Sequence, residues 1–299
     1  MGFLSICYTS ALFLLVVFSK GDSVEIIGGK KANPHSRPYM AFLIGKKYCG
    51  GTLIKTNWVL TAAHCQFDSK SVVILGAQYW KENESEQQRF SVSKTVPHPD
   101  YQSCTRSNDI QLIQLDRHAK LGPFVSVFPF PKSTDDMKEN TLCNTAGWGY
   151  TVPNNPTLSS YLRETNLTII NRASCRSEYR KQNIKALITE NMLCAKPVAG
   201  RTDDACMGDS GGPLICENQL RGIVSFGDST CSSKVPTVYT RLTSKYVKWI
   251  ESPELRRDTT ADLALPGLVI MGILPTCVLM SLYVMTCFAI SRLHQIHQS

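Results

Sequence analysis

The 299-residue sequence carries a formal net charge of +8 at pH 7, and 43% of its residues are hydrophobic. This apolar content is enough to build a core and excludes an intrinsically disordered chain, while the length suits one large domain or two small ones. The positive charge makes anionic proteoglycans candidate partners, with a merely soluble basic surface as the alternative, and we expect no nucleic-acid partner.

The first 23 residues form a predicted signal peptide. Residues 11–18 are the apolar run ALFLLVVF, and small residues follow at Ser19, Gly21 and Ser23, where a signal peptidase can cut. A buried strand is the alternative, but the position at the extreme N-terminus favours secretion.

Between residues 26 and 252, short apolar segments recur and are broken by Gly, Pro, Asn and Asp, which is typical of an all-β sandwich or barrel. The predicted strands lie within residues 39–45, 50–65, 71–78, 109–116, 220–227 and 237–242. Residues 171–182 and 243–252 predict short helices. In the first helix Arg172, Arg176 and Arg180 share a face, which is either a solvated charged face or an anion-binding ridge.

The C-terminal part of the sequence predicts a membrane anchor. Residues 253–262 form a polar stalk, and residues 263–290 contain no charged or amide side chain. As a helix this segment would extend roughly 40 Å, more than the bilayer core of about 30 Å. Residues 291–299 would then form the cytoplasmic tail of a type I protein, in a secretory granule or at the cell surface. A glycosylphosphatidylinositol-attachment signal is the alternative, but Arg292 after the apolar stretch favours a true span.

The sequence contains twelve cysteines, which together with a signal peptide predict disulfides formed in an oxidising compartment. Cys7 lies in the signal peptide, and Cys277 and Cys287 lie in the predicted span. The folded part keeps nine: Cys49, Cys65, Cys104, Cys143, Cys175, Cys194, Cys206, Cys216 and Cys231. Because nine is odd, at least one is left over by any pairing within the chain.

The segment TDDACMGDSGGPLIC, residues 202–216, contains a candidate nucleophile, Ser210. A serine hydroxyl is a poor nucleophile at neutral pH unless a base takes its proton, a carboxylate orients the base and amide donors stabilise the oxyanion. The sequence supplies His64 in TAAHC, Asp109 in SNDIQLIQL and a glycine-containing turn at Gly208.

These motifs, in the order His, Asp, Ser, resemble those of the chymotrypsin-fold serine proteases over about residues 26–252. The resemblance implies two antiparallel six-stranded β-barrels with the site between them, followed by a C-terminal helix. It implies peptide-bond hydrolysis with His64 as the general base, Asp109 as the carboxylate that orients it and Ser210 as the nucleophile. The backbone N–H groups of Gly208 and Ser210 would form the oxyanion hole, and no metal or cofactor is implied.

The segment around residues 23–31, SVEIIGGKK, resembles a zymogen activation site. Cleavage after residue 25 would free the ammonium group of Ile26, which in this family pairs with the carboxylate corresponding to Asp209. If the signal peptide ends at residue 23, the pro-segment is only the dipeptide 24–25, as in the granzymes. Asp204 and Cys104 make the sequence most similar to granzymes A and K.

The resemblance also implies a pairing of the cysteines. The four implied disulfides are Cys49–Cys65, Cys143–Cys216, Cys175–Cys194 and Cys206–Cys231. The remaining Cys104 lies in the loop before Asp109, where granzyme A has an exposed cysteine that joins two subunits. A disulfide-linked homodimer is one hypothesis, and a buried thiol in a monomer is the other.

Substrate specificity is predicted from the residues around the pocket beside Ser210. Asp204 matches the carboxylate at the floor of trypsin-like pockets, so we expect cleavage after Lys or Arg. Ser225, Phe226 and Gly227 match the strand that binds the substrate backbone, with Phe226 where Trp is usual. Thr237 stands where trypsin-like members have a glycine in the pocket wall. Slower or narrower cleavage after Lys or Arg is therefore expected, and loss of that specificity is the alternative.

Two further predictions concern modification and function. Asn83 and Asn166 begin N-glycosylation sequons, NES and NLT. The alternative to a protease is a catalytically silent homologue that binds glycans or proteins at the membrane; the complete set of His64, Asp109 and Ser210 favours the enzyme.

Overall fold

The structure is a computed structural model that describes residues 29–252, apart from residues 83, 153, 154 and 229. The predicted signal peptide, activation dipeptide, stalk, apolar span and tail lie outside the described residues, as do Ile26 and the sequon residue Asn83. Among the helices that the structure describes, none has the length and apolar character needed to cross a membrane.

The first half of the described chain forms a closed six-stranded antiparallel barrel. Its strands are β2 (Met40–Ile44), β3 (Tyr48–Lys55), β4 (Trp58–Thr61), β5 (Val72–Leu75), β6 (Gln88–Pro97) and β7 (Gln111–Leu115). They pair around the barrel in the order β2-β3-β4-β7-β6-β5, and β5 closes onto β2. The preceding strand β1 (Lys30–Lys31) does not join this barrel but pairs with β11 of the second one.

The second half forms another antiparallel barrel, closed by the pairing of β8 with β11. Its strands are β8 (Leu142–Gly147), β11 (Arg163–Ile170), β12 (Met192–Pro197), β13 (Pro213–Cys216), β14 (Gln219–Phe226) and β15 (Thr237–Arg241). A short hairpin of β9 (Tyr150–Val152) and β10 (Asn155–Leu158) lies between β8 and β11 in the chain. The predicted pair of six-stranded barrels is confirmed.

Two helices accompany the barrels. Helix α1 (Arg172–Lys181) begins after Asn171, whose side chain accepts a hydrogen bond from the backbone of Ser174 and so caps the helix. Helix α2 (Ser244–Ile250) buries Tyr246 and Ile250 in the core cluster that also contains the interior of the first barrel. The closing helix therefore ties the end of the domain to its first half.

The basic face of α1 is not uniformly solvated. Arg172 Nη1 lies 2.7 Å from Asp136 Oδ2, and Arg176 donates a 3.0 Å hydrogen bond to the carbonyl of Ile188. The interpretation of all three arginines as one solvated face is therefore wrong for Arg172 and Arg176. Arg180, by contrast, is exposed.

The structure contains the four disulfides that the resemblance implied: Cys49–Cys65, Cys143–Cys216, Cys175–Cys194 and Cys206–Cys231. Two of them flank the segments that carry the candidate catalytic residues. Cys104 belongs to none of these four and is exposed. The alternative of a buried thiol at this position is therefore wrong.

Candidate active site

The pairing of β4 with β7 brings His64 and Asp109 together. In this antiparallel register Thr61 at the end of β4 lies opposite Gln111 at the start of β7. His64 follows Thr61 by three residues and Asp109 precedes Gln111 by two, so both leave the sheet at the same end. His64 Nδ1 lies 2.7 Å from Asp109 Oδ2, and the backbone N–H of His64 donates to Asp109 Oδ1 at 2.8 Å.

The carboxylate of Asp109 is fully buried and is also held from the second barrel. The hydroxyl of Ser225 on β14 donates to Asp109 Oδ2 at 2.5 Å, and Thr240 on β15 donates to the Asp109 carbonyl at 2.8 Å. A buried carboxylate needs such donors, and it fixes the neighbouring tautomer because it can only accept. His64 Nδ1 therefore donates, which leaves Nε2 able to accept a proton.

Ser210 lies where the two barrels meet. Its carbonyl accepts a 2.8 Å hydrogen bond from Gly50 N on β3, and Gly211 N donates at 2.8 Å to Val224 O on β14. The loop before β13 is thereby fixed to both barrels. Ser210 and His64 line the same cavity, which has a volume of about 490 Å³.

The turn at Gly208 requires glycine for two reasons. Its φ of +100° lies in the left-handed region, and an added Cβ would lie 2.6 Å from Leu158 Cδ2. Among the described residues, neither the N–H of Gly208 nor that of Ser210 has a hydrogen-bond acceptor. Both N–H groups are therefore available to donate to an oxyanion, which is what an oxyanion hole requires.

Comparisons with known proteins agree with this geometry. Residues 26–250 match the protein-family model described as Trypsin. The chain belongs to the trypsin family. It is 43% identical over 226 residues to Granzyme A of Bos taurus, covering 76% of this chain and 86% of that protein. It is 41% identical over 248 residues to Mast cell protease 3 of Ovis aries, covering 80% and 94%.

One further relative and one solved structure agree with this family. Duodenase-1 of Bos taurus is 39% identical over 246 residues, covering 81% of this chain and 94% of that protein. A solved structure titled "Structure of GrC" has a TM-score of 0.66 and 37% identity, and the alignment covers 75% of this chain and 97% of that one. The chain is thus a trypsin-family serine protease homologous to granzymes and mast cell proteases, which assigns it to the hydrolases that act on proteins.

Asp209, next to Ser210 in this trypsin-family chain, is buried. Among the residues that the structure describes, no cationic side chain pairs with it. Its carboxylate accepts hydrogen bonds from Gly149 N at 2.7 Å and Cys206 N at 2.9 Å. Burial raises the pKa of Asp209 to about 6, although these two donors oppose the rise. A Cβ at Gly149 would collide with the carboxylate, so glycine is needed for its placement. A buried anion with neutral donors only is a site that favours a cation.

The acidic floor of the pocket beside Ser210 is covered by Thr237, the residue that stands in place of the usual glycine. Asp204 is buried, and the residue that lines the cavity there is Thr237, whose hydroxyl donates to Asp204 Oδ1 at 2.9 Å. Burial raises the pKa of Asp204 to about 7, and the hydrogen bond from Thr237 offsets part of the rise. A substrate cation would meet a carboxyl that is covered by a β-branched side chain and whose ionisation burial disfavours.

The other predicted pocket residues lie near this floor. Ser225, Phe226 and Gly227 line the cavity, although the hydroxyl of Ser225 is turned to Asp109. Sequence reasoning missed the wall on the other side, which holds Lys46, Lys47 and Tyr48. Their place directly before Cys49, whose partner Cys65 follows His64, was the available signal.

Proposed function

We propose that the protein is a serine endopeptidase that is made as a zymogen and cleaves peptide bonds after Lys or Arg. The observation that carries the proposal is the pair of His64 and Asp109, held by donors from both barrels on the cavity that also contains Ser210. No residue of that set is replaced, which distinguishes the chain from a silent homologue.

The geometry supports acyl transfer in two steps. His64 Nε2 removes the proton of Ser210 Oγ as this oxygen attacks the scissile carbonyl, while Asp109 stabilises the imidazolium that forms. The N–H groups of Gly208 and Ser210 donate to the oxyanion. His64 then protonates the leaving amine, and the acyl-enzyme is hydrolysed by a water that His64 activates in the same way.

Activation by release of Ile26 accounts for the environment of Asp209. An ammonium group at Ile26 would supply the cation that this buried carboxylate favours, and the pair would order the adjacent turn at Gly208. The chain that follows Ile26 is anchored nearby: Lys30 and Lys31 pair with β11, and the side chain of Arg163 donates to the carbonyl of Gly29.

The proposed activity is tested by labelling with a fluorophosphonate, which reacts only with an assembled serine site. With an engineered cleavage site directly before Ile26, we expect labelling after cleavage and little before it, because only the cleaved chain has the ammonium group. A peptide-library profile of the cleaved protein should show Lys or Arg before the scissile bond. A cleaved, folded protein that resists the label would support the silent binding module instead.

Replacing Thr237 with glycine is expected to raise kcat/KM for peptides with Arg before the scissile bond. The change removes a buried side chain from the pocket wall and frees one oxygen of Asp204, and a pocket change of this size is worth roughly 10- to 100-fold. Thr237→Ser is the matched control because it keeps the hydroxyl and removes only the methyl group. Unchanged or slower cleavage by Thr237→Gly would contradict the proposed role of Thr237.

The remaining proposals concern dimer formation, glycosylation and attachment to a membrane. We infer a disulfide-linked homodimer through the exposed Cys104, which would run at twice the monomer mass without reductant. Asn166 is exposed on β11 and is proposed as a glycosylation site, together with Asn83, to be read from a mass shift on glycosidase treatment. The apolar segment 263–290 is proposed to anchor the protease, and resistance to alkaline carbonate extraction would show it.

A further inference from the structure

A second cavity, of about 1170 Å³, opens beside the catalytic one. Its walls are the C-terminal half of α1, residues 183–187 after it, and residues 104–106 in the loop before Asp109. It shares Arg106, Phe226 and Gly227 with the catalytic cavity, so the two are adjacent. We call it the basic groove because four of its lining residues are cationic: Arg106, Arg176, Arg180 and Lys185.

No acidic residue lines the basic groove. Arg180 and Lys185 are exposed, and neither forms an ion pair with another residue that the structure describes. Glu178, the nearest acid on α1, pairs with Lys181 at 3.0 Å. Asp228 lines the catalytic cavity but not the groove, and it accepts hydrogen bonds from Thr230 and Ser232. Although burial alone would raise it, these bonds lower the pKa of Asp228 to about 2, so Asp228 is an anion at neutral pH. The four cations that line the groove outnumber this acid, which leaves a net positive field for a ligand.

The chemistry of the site sets the direction in which a peptide would cross it. His64 must protonate the leaving amine, so the leaving part of the substrate lies toward the wall formed by the Cys49–Cys65 disulfide. The acyl part then lies on the opposite side, toward Phe226 and Gly227 and onward into the basic groove. At about 3.3 Å per residue, the third to fifth residues of an extended chain lie roughly 10–16 Å from the scissile bond.

We propose that the basic groove selects substrates that carry Asp or Glu three to five residues before the scissile bond. This inference rests on the proposed protease function and specifies its substrate class. The groove also exposes Ile184 and Leu187, which are 42% and 52% accessible. Apolar side chains beside cations suit a peptide with mixed side chains, whereas a sulfated glycan would leave them uncovered.

The test compares pairs of Arg-containing peptides in which one position at a time, from five before to three after the scissile bond, is Asp or Asn. For the cleaved enzyme at low ionic strength we expect kcat/KM to be about 3- to 10-fold higher with Asp at the third to fifth positions before the bond. About 0.5 M salt should remove most of this preference. The double variant R180E/K185E should prefer Asn at those positions. Lys138→Glu, a charge reversal at an exposed lysine outside both cavities, should keep the preference for Asp.

Several results would overturn the inference. Equal kcat/KM for Asp and Asn peptides, or a preference that R180E/K185E leaves intact, excludes recognition by the basic groove. Heparin binding that the double variant abolishes, without any peptide preference, would assign the groove to glycans. Binding of the same peptides to the Ser210→Ala protein, followed by fluorescence anisotropy, keeps this test separate from catalysis. If nothing is cleaved or labelled but the Asp peptides still bind better, the protease function fails and the groove assignment stands.

Discussion

Replacing Ser210 with alanine is expected to lower kcat for peptide hydrolysis by roughly 10⁶-fold, because the attacking oxygen is lost while the rest of the site remains. His64→Ala should cost about as much, and the double variant should be hardly slower than either single one, since the two residues act as one unit. The measurement is single-turnover hydrolysis of an Arg peptide after cleavage before Ile26.

The control for this prediction is Ser93→Ala, which makes the same change at an exposed position of β6. It should keep full activity. The Ser210→Ala protein should still bind peptides, because Gly50 N holds the backbone carbonyl of this residue and not its side chain. Loss of binding together with catalysis would indicate a collapsed loop, and retained hydrolysis would show that another nucleophile is at work.

Much of the site could be predicted because its local motifs are short and chemically demanding. The sequence TAAHC places His64 three residues after Thr61, and DIQLIQL places Asp109 two residues before Gln111, so one strand pairing joins them. The strand pattern alone predicted only an all-β sandwich or barrel, and the two barrels were predicted from the family resemblance that the three motifs carry. Strands such as β6, with an alternating pattern of buried and exposed residues, carried a weaker signal than the continuous apolar runs.

The contacts that could not be predicted join residues far apart in the chain. Ser225 is predicted as part of the substrate-binding strand, and it lines the cavity, but its hydrogen bond to Asp109, 116 residues away, could not be predicted from that strand. Helical periodicity places Arg172 and Arg176 on one face, either solvated or anion-binding, but it carries no information about their contacts with Asp136 and with the carbonyl of Ile188. Such contacts depend on the tertiary approach of loops, which the pattern of one segment does not contain.

The effect of Thr237 on the pocket can be predicted from the sequence only in direction. A β-branched residue in place of glycine must fill part of a pocket, which the sequence alone establishes. That its hydroxyl would cover Asp204, and that burial would raise the pKa of this carboxyl to about 7, required the packing of β15 against the loop after β12. The proposed specificity thus depends on two residues that lie 33 positions apart in the chain.

Replacing Asp209 with asparagine is expected to lower kcat/KM of the cleaved protein by roughly 10²- to 10³-fold, the cost of breaking a buried ion pair. The ammonium group of Ile26 would lose its only proposed partner. One of the two backbone donors, Gly149 N or Cys206 N, would also face an amide N–H₂ in place of a carboxylate oxygen. The turn at Gly208 would then remain disordered in most molecules, and fluorophosphonate labelling would fall in parallel with hydrolysis.

The pH dependence separates this role from a purely structural one. The proposed ion pair between Ile26 and Asp209 needs an ionised carboxylate and a protonated amine. Its contribution to activity is therefore lost as pH falls through the pKa of Asp209, and again as pH rises through the pKa of the Ile26 amine. The wild type should therefore lose activity at high pH, and the residual activity of Asp209→Asn should lack that step. Asp116→Asn, at an exposed acid that pairs with Arg117, should behave as wild type. Asparagine retains the shape of Asp209 but not its charge. A cleaved Asp209→Asn protein with normal kcat/KM would therefore mean that the turn at Gly208 is ordered without an ion pair to Ile26.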